Sequence, residues 1–216
     1  MGAWPGRPPG RPLQLITLPV VHAVTDDRVL ALPDFLERAA ALAGVPGCAI
    51  HVRGRLPANR LLGLGDAVRT LTAAAGTALI IHDRLDLAML CHADGAHLPG
   101  AGIPASHARA LLGPDVLIGR STHSPAEARA AADAGSDYVF LGNIWETPSH
   151  PGRPGIGPDA IRAAPPARTI AIGGITAETA PAAIRAGAAG CAAVRALWDA
   201  PDPAAAAHAF RVLFPG

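Results

Sequence analysis

Lysine is missing from this 216-residue chain: all 18 basic residues are arginine, so no side-chain amine can serve its chemistry. Aromatic residues make up only 4%, which leaves a core to be built from Leu, Val, Ile and Ala. Cysteine is sparse. Cys48, Cys91 and Cys191 are widely spaced and form no CxxC pair, which excludes a disulfide framework and fits buried, reduced thiols in a cytoplasmic protein. Net charge is nearly absent at +1, which argues against a nucleic-acid partner. No apolar run is long enough to span a bilayer, so no membrane partner is expected.

Proline, glycine and arginine crowd residues 1–12, which read as a disordered tail ahead of one domain over residues 13–216. Arg7 and Arg11 followed by an apolar stretch imitate a secretory leader. Pro19 and His22 interrupt that stretch, and the fold needs residues 20–25 as its first strand.

Short apolar runs alternate with Ala/Leu/Arg-rich helical stretches. Strands are expected at residues 20–25, 49–53, 78–82, 95–98, 116–121, 138–142, 169–173 and 190–195. Helices are expected at 33–43, 58–75, 85–91, 106–112, 125–134, 159–164, 177–186 and 203–213. Continuous apolar strands suit a parallel sheet covered by helices. Ser124-Pro125 and Thr176 read as helix starts, and Gly44, Gly76, Gly135 and Gly187 as C-terminal caps. Eight units without a reversal predict a single (β/α)8 TIM barrel in the α/β class; an open doubly wound sheet is the alternative.

Chemistry in such a barrel sits at the C-terminal strand ends. That rule selects His22, His51, Arg53, His82, Asp83, His97, Ser121, His123, Asn143, Thr147, His150, Gly173, Gly174 and Arg195. Gly173-Gly174 after strand seven and Val194-Arg195 after strand eight flank the usual phosphate site, where glycine lets backbone amides approach phosphate oxygens. His51, His82 and His123 could together bind zinc, although no short ligand-spacing motif marks them.

Residues 119–157, GRSTHSPAEARAAADAGSDYVFLGNIWETPSHPGRPGIG, and 169–176, TIAIGGIT, carry a resemblance. The chain resembles the family of thiamine phosphate synthases and thiazole tautomerases from about Val21 to Ala196. The resemblance implies the same barrel, and a thiazole phosphate held by Thr147, Pro148 and Ser149. Synthases of this family carry Gln-x-Arg-x-Lys, Asn-Asp, a further Asp after strand four, and a Lys in the loop after strand six. This chain has His51-Val52-Arg53-Gly54-Arg55, His82-Asp83, Gly102 and His150 there. Its His51-Val52-Arg53, Leu98-Pro99-Gly100-Ala101-Gly102 and Gly119-Arg120-Ser121-Thr122-His123-Ser124 are similar to the tautomerase branch.

The resemblance therefore implies a thiazole tautomerase, an isomerase of thiazole carboxylate phosphate in thiamine biosynthesis. His123 would be its catalytic proton shuttle, with Ser121 on the same side of the strand, and no cofactor. A thiamine phosphate synthase joining pyrimidine pyrophosphate to thiazole phosphate is the first alternative. It would use Mg²⁺ at Asp83, with Arg55 and His150 for the lysines. A non-catalytic thiazole-phosphate binder or regulator is the second. Relatives suggest a homodimer.

Overall fold

The computed structural model describes residues 18–147, 152, 154–166 and 168–214. The expected tail, and Pro148, Ser149 and His150, lie outside the described residues. In chain order the elements are β1 Val21–Val24, α1 Asp27–Leu30, α2 Phe35–Ala43, β2 Cys48–Val52, α3 Ala58–Ala75, β3 Ala78–His82, α4 Leu85–Leu90, β4 Gly95–Leu98 and α5 Ala105–Leu112. There follow β5 Leu117–Thr122, α6 Pro125–Asp133, β6 Tyr138–Leu141, α7 Asp159–Arg162, β7 Thr169–Ile172, α8 Ala180–Arg185, β8 Gly190–Ala193, α9 Arg195–Trp198 and α10 Pro203–Arg211.

The eight strands run parallel in sequence order, and β1 pairs with β8 to close the barrel. The sheet never reverses, so the open alternative is set aside. Alternation along each strand sorts its side chains. Val21, Ile50, Leu79, Ala96, Ile118 and Val139 face outward into the core shared with the helices. Their neighbours face the barrel interior, where Val24, Tyr138, Phe140, Ile170 and Ala192 form one cluster and Ala49, Ala78 and Ile80 another.

Alanine does much of the helix packing, as the scarcity of aromatics predicts. Ala39, Ala108, Ala128, Ala183 and Ala207 are fully buried. Such short side chains let helices lie close against the sheet. In α3 the buried residues Leu61, Gly65, Val68 and Thr72 recur at helical spacing, forming one inward stripe. All three cysteines are free and buried, and burial pushes each thiol up to about 12.

Two aspartates staple the end of the barrel away from the strand C-termini. Asp94, just before β4, accepts from Leu79 N–H and from Arg69 of α3 at 2.6 Å. Asp137, just before β6, accepts from Ile118 N–H and from Arg109 of α5 at 2.5 Å.

Several local expectations need correction. The single-turn helices α1 and α9 were not expected. α8 begins at Ala180 rather than Ala177, because Thr176 N–H donates to Thr179 Oγ1 and the intervening residues form a side-chain-closed turn. Gly44 ends α2 with φ −66, an ordinary right-handed value, whereas Gly76 ends α3 at φ 73. Ser124 caps α6 as expected, accepting from Glu127 N–H.

Candidate active site

The strand C-termini surround one mouth. On its β2–β3 side, Arg53 and Arg55 follow β2 and are exposed. Their backbone is pinned from the loop after β1. Thr25 Oγ1 accepts from Arg53 N–H and donates to Arg53 C=O, both at 2.8 Å, and Asp27 Oδ1 accepts from Arg55 N–H at 2.6 Å. Among the described residues no carboxylate pairs with either guanidinium. Asp83 follows β3 at φ 60. It is the middle of a three-residue turn closed by Arg84 N–H to His82 C=O at 2.7 Å, and its own N–H donates to His97 C=O. That conformation is strained for a residue with a Cβ, and it leaves the Asp83 carboxylate exposed at the mouth.

Across the mouth, Gly173 and Gly174 have φ 91 and 66. A Cβ at Gly173 would lie 2.7 Å from Asn143 Cα, and one at Gly174 would lie 2.6 Å from Trp145 Cβ. The loop after β6 is therefore laid directly on this pair, bonded through Ile144 N–H to Ile172 C=O and Trp145 N–H to Gly173 C=O. Thr147 is half-buried in the same loop. Val194 caps α9, and Arg195, its first residue, is exposed.

Between these sides stand Ser121 and His123. His123 is exposed. Its Nδ1–H donates to Gly142 C=O at 2.8 Å, which leaves Nε2 as the ring's acceptor, and its backbone N–H donates to Glu127 Oε2. Ser121 Oγ contacts His97 Nε2 at 2.9 Å. Arg120 binds the carbonyls of Pro99, Gly100 and Ile103, which fixes the loop after β4.

Beneath the mouth the barrel is filled by histidine. His22, His51 and His97 are buried with 0%, 0% and 1% exposure, and His82 is half-buried above them. His22 Nε2 lies 2.8 Å from Pro19 C=O, His22 Nδ1 lies 2.8 Å from His51 Nε2, and His51 Nδ1 lies 2.9 Å from His82 Nε2. His97 stacks on His82 at 4.5 Å between ring centres. Burial lowers all four pKa values: His22 to about 4, and His82 to about 3 with Arg53 and then His22 adding to the effect. For His51 and His97, burial comes first and the neighbouring imidazoles second, and both fall well below the ordinary value.

Each ring is therefore neutral at pH 7, and the Pro19 carbonyl then decides the tautomers of His22, His51 and His82. A carbonyl only accepts, so His22 carries its proton on Nε2. Its bare Nδ1 must accept from His51 Nε2–H. His51 Nδ1 in turn accepts from His82 Nε2–H, and His82 Nδ1 is left bare at the top. Gly119 makes room for this filling: a Cβ there would lie 2.5 Å from Tyr138 Oη and 2.6 Å from His97 Nδ1.

The mouth thus gathers Arg53, Arg55, His82, Asp83, Ser121, His123, Thr147, Gly173, Gly174, Val194 and Arg195. His22, His51 and His97 lie deeper than a strand-end position suggests. His51, expected to touch substrate, has both nitrogens engaged by other histidines. The expected zinc trio is also corrected. His123 is turned to Gly142, and the three histidines whose donor atoms lie within 4.8 Å of one another are His51, His82 and His97. Arg120 and Tyr138 were not singled out in the sequence. Arg120 sits within Gly119–Thr122 and could have been found as the strand-end cation beside a carbonyl-rich Leu-Pro-Gly loop.

The family described as thiamine monophosphate synthase matches residues 21–197. The thiamine-phosphate synthase of Roseiflexus castenholzii is 37% identical over 88% of this chain and 86% of its own length. That of Moorella thermoacetica is 44% identical over 79% of this chain and 83% of its own. A bifunctional thiamine biosynthesis protein ThiM/ThiE of Symbiobacterium thermophilum is 44% identical over 72% of this chain, which spans only 33% of that protein. Among solved structures, thiamine phosphate pyrophosphorylase from Pyrococcus furiosus superposes with a TM-score of 0.76, covering 91% of this chain and 96% of that one at 24% identity, which bears on the fold.

These relatives overturn the tautomerase expectation: those similar to this chain over most of their length are named as synthases, and none of these findings points to the isomerase branch. Of the imidazoles that suggested that branch, His51 lies inside the barrel with both nitrogens engaged by other histidines, while His82 and His123 stand at the mouth. Fold, mouth and sequence match converge, and the chain belongs to the thiamine monophosphate synthase family.

Proposed function

We propose that this protein is a thiamine-phosphate synthase, a transferase joining a pyrimidine pyrophosphate to a thiazole phosphate with loss of pyrophosphate. The observation that carries this reading is identity of 37% and 44% to proteins of that name across most of both chains. The mouth supports it with a cationic side facing a glycine-lined side. Pyrophosphate leaves with several negative charges, which fixed cations stabilise most effectively in a site prepared in advance. Arg53 and Arg55, pinned through their backbones and carrying no carboxylate partner among the described residues, suit that task.

Mg²⁺ fits this reading through Asp83. Its carboxylate is exposed at the mouth, and Mg²⁺ is commonly held by one or two carboxylates together with substrate phosphates. Gly102 offers no second carboxylate, so the substrate oxygens would complete the ion's shell. When bound, the ion would neutralise pyrophosphate charge. Gly173, Gly174 and the backbone at Val194 and Arg195 would hold the thiazole phosphate, and the family resemblance adds Thr147, Pro148, Ser149 and His150 to its binding residues. His82, Ser121 and His123 would line the floor between the substrates, and His51 would act through His82. The reading carries with it a cytoplasmic enzyme, in keeping with the lack, among the described residues, of any helix long and apolar enough to cross a membrane.

Purified protein given both substrates and Mg²⁺ is expected to release pyrophosphate and form thiamine phosphate over many turnovers. Absence of product would overturn the reading, and thiazole phosphate binding without turnover would assign a binding protein instead.

A further inference from the structure

We propose that His51, His82 and His97 form a site for one divalent transition-metal ion of the zinc type, inside the barrel beneath the mouth. One donor atom from each ring lies within 4.8 Å of the other two, and the rings come from three neighbouring strands of a rigid sheet. A tetrahedral ion with metal–nitrogen bonds of about 2.0–2.1 Å has ligand atoms roughly 3.3 Å apart. The 2.9 Å contact between His51 Nδ1 and His82 Nε2 needs to open by only a few tenths of an ångström.

The proton balance is simple. His82 moves its proton from Nε2 to Nδ1, and His51 keeps its proton on Nε2. Two lone pairs are then presented to the ion without net loss of a proton.

The surroundings are those of a built metal centre. Ligating imidazoles normally donate their other N–H to a fixed acceptor, which sets tautomer and orientation. His51 Nε2–H does this to His22 Nδ1, and His22 is itself anchored on Pro19 C=O. The nitrogens of His97 face Ser121 Oγ at 2.9 Å and Tyr138 Oη at 3.3 Å, so either has a partner when the other ligates. Half-buried His82 gives the ion a way in from the mouth. Imidazole nitrogen selects zinc, cobalt, nickel or copper over the oxygen-seeking Mg²⁺, so this site is distinct from any ion at Asp83.

The test uses untagged, chelator-treated full-length protein titrated with Co²⁺ and with Zn²⁺. One equivalent is expected to bind, Co²⁺ giving the visible bands of a tetrahedral complex that Zn²⁺ then displaces. His82→Asn and His97→Gln should each weaken binding by on the order of 100-fold. His22→Gln, which touches only the proposed outer partner, should weaken it about 10-fold. X-ray absorption of the wild-type zinc complex should show three imidazoles, a readout that stands even if a variant fails to fold. Binding well below one equivalent, or binding that the His82 and His97 variants leave intact, would overturn the proposal. None of these readouts depends on synthase turnover, so this proposal can fail or hold apart from the one above.

Discussion

The two halves of the barrel share one outer surface and differ in where the interior imidazoles lie. Strands β1–β4 and β5–β8 alike send Val, Ile, Leu and Ala outward to the helices. Inward, β1–β4 contribute one imidazole each, whereas β6–β8 contribute Tyr138, Phe140, Ile170 and Ala192. The outward side chains hold the fold and change little from unit to unit. The inward ones are free to specialise: apolar side chains occur in both halves, Val24, Ala49 and Ile80 in the first, but the imidazoles make the half beneath the arginines the polar one and leave the half beneath the glycines apolar.

The largest effect should come from the polar half. Arg53→Ala and Asp83→Asn are each expected to lower synthase kcat/KM by about 10²–10³, with thiazole phosphate affinity measured by calorimetry unchanged. Equal loss of thiazole affinity would erase the functional distinction between the halves.

Acid should also act on the polar half. His22 is held at about 4 by burial, inside a group comprising His51, His82 and His97 with Arg53, Arg120 and Tyr138 close by. Above pH 6.5 the imidazole is neutral whether folded or unfolded, and contributes nothing. Between 6.5 and 4 the unfolded chain takes up a proton that the folded chain refuses, so stability falls as pH falls, by on the order of 3 kcal/mol for this residue alone. Denaturant titrations of metal-free protein at pH 7 and pH 4.5 should show this loss. His22→Phe should flatten the slope, and an unchanged slope would mean that these rings are not buried neutral.

Gly119 stands on the seam, and Gly119→Ala pushes a methyl group against His97 and Tyr138. A cost of about 1–3 kcal/mol is expected in thermal unfolding. A neutral result would mean that the interior is looser than close packing allows.

The smallest effect belongs to the glycine side. Arg195 is exposed, so Arg195→Ala should raise KM for the thiazole phosphate less than about tenfold and move stability by under roughly 0.5 kcal/mol. A larger KM effect would place a cation at the centre of the glycine-lined half.

The strands were legible because a buried parallel strand leaves a continuous apolar run with Gly or Pro nearby, and β3 and β4 match their expected bounds. The four-residue helices α1 and α9 were not, since one turn is too short to show a helical period. The strand-end rule selected His22, His51, His82 and His97 together, but it carries no depth. Depth follows from strand register, such as His82 beside His97 and His22 beside Ala49. Register depends on the whole closed sheet. The same gap explains the zinc trio: His123 lies just past Thr122, and it took the folded loop to turn its ring to the Gly142 carbonyl.

One carbonyl at the far end of the barrel has a reach out of proportion to its size. Because the Pro19 carbonyl can only accept a hydrogen bond, His22, His51 and His82 line up their N–H bonds toward it. The three rings then act as a single column of aligned dipoles, electron-poor at the base and electron-rich where substrates enter. Turning over one ring alone would set two N–H groups, or two lone pairs, against each other. The polarity presented to an incoming molecule is thus written by the main chain at the opposite end of the barrel, and no side-chain replacement at Pro19 would erase it.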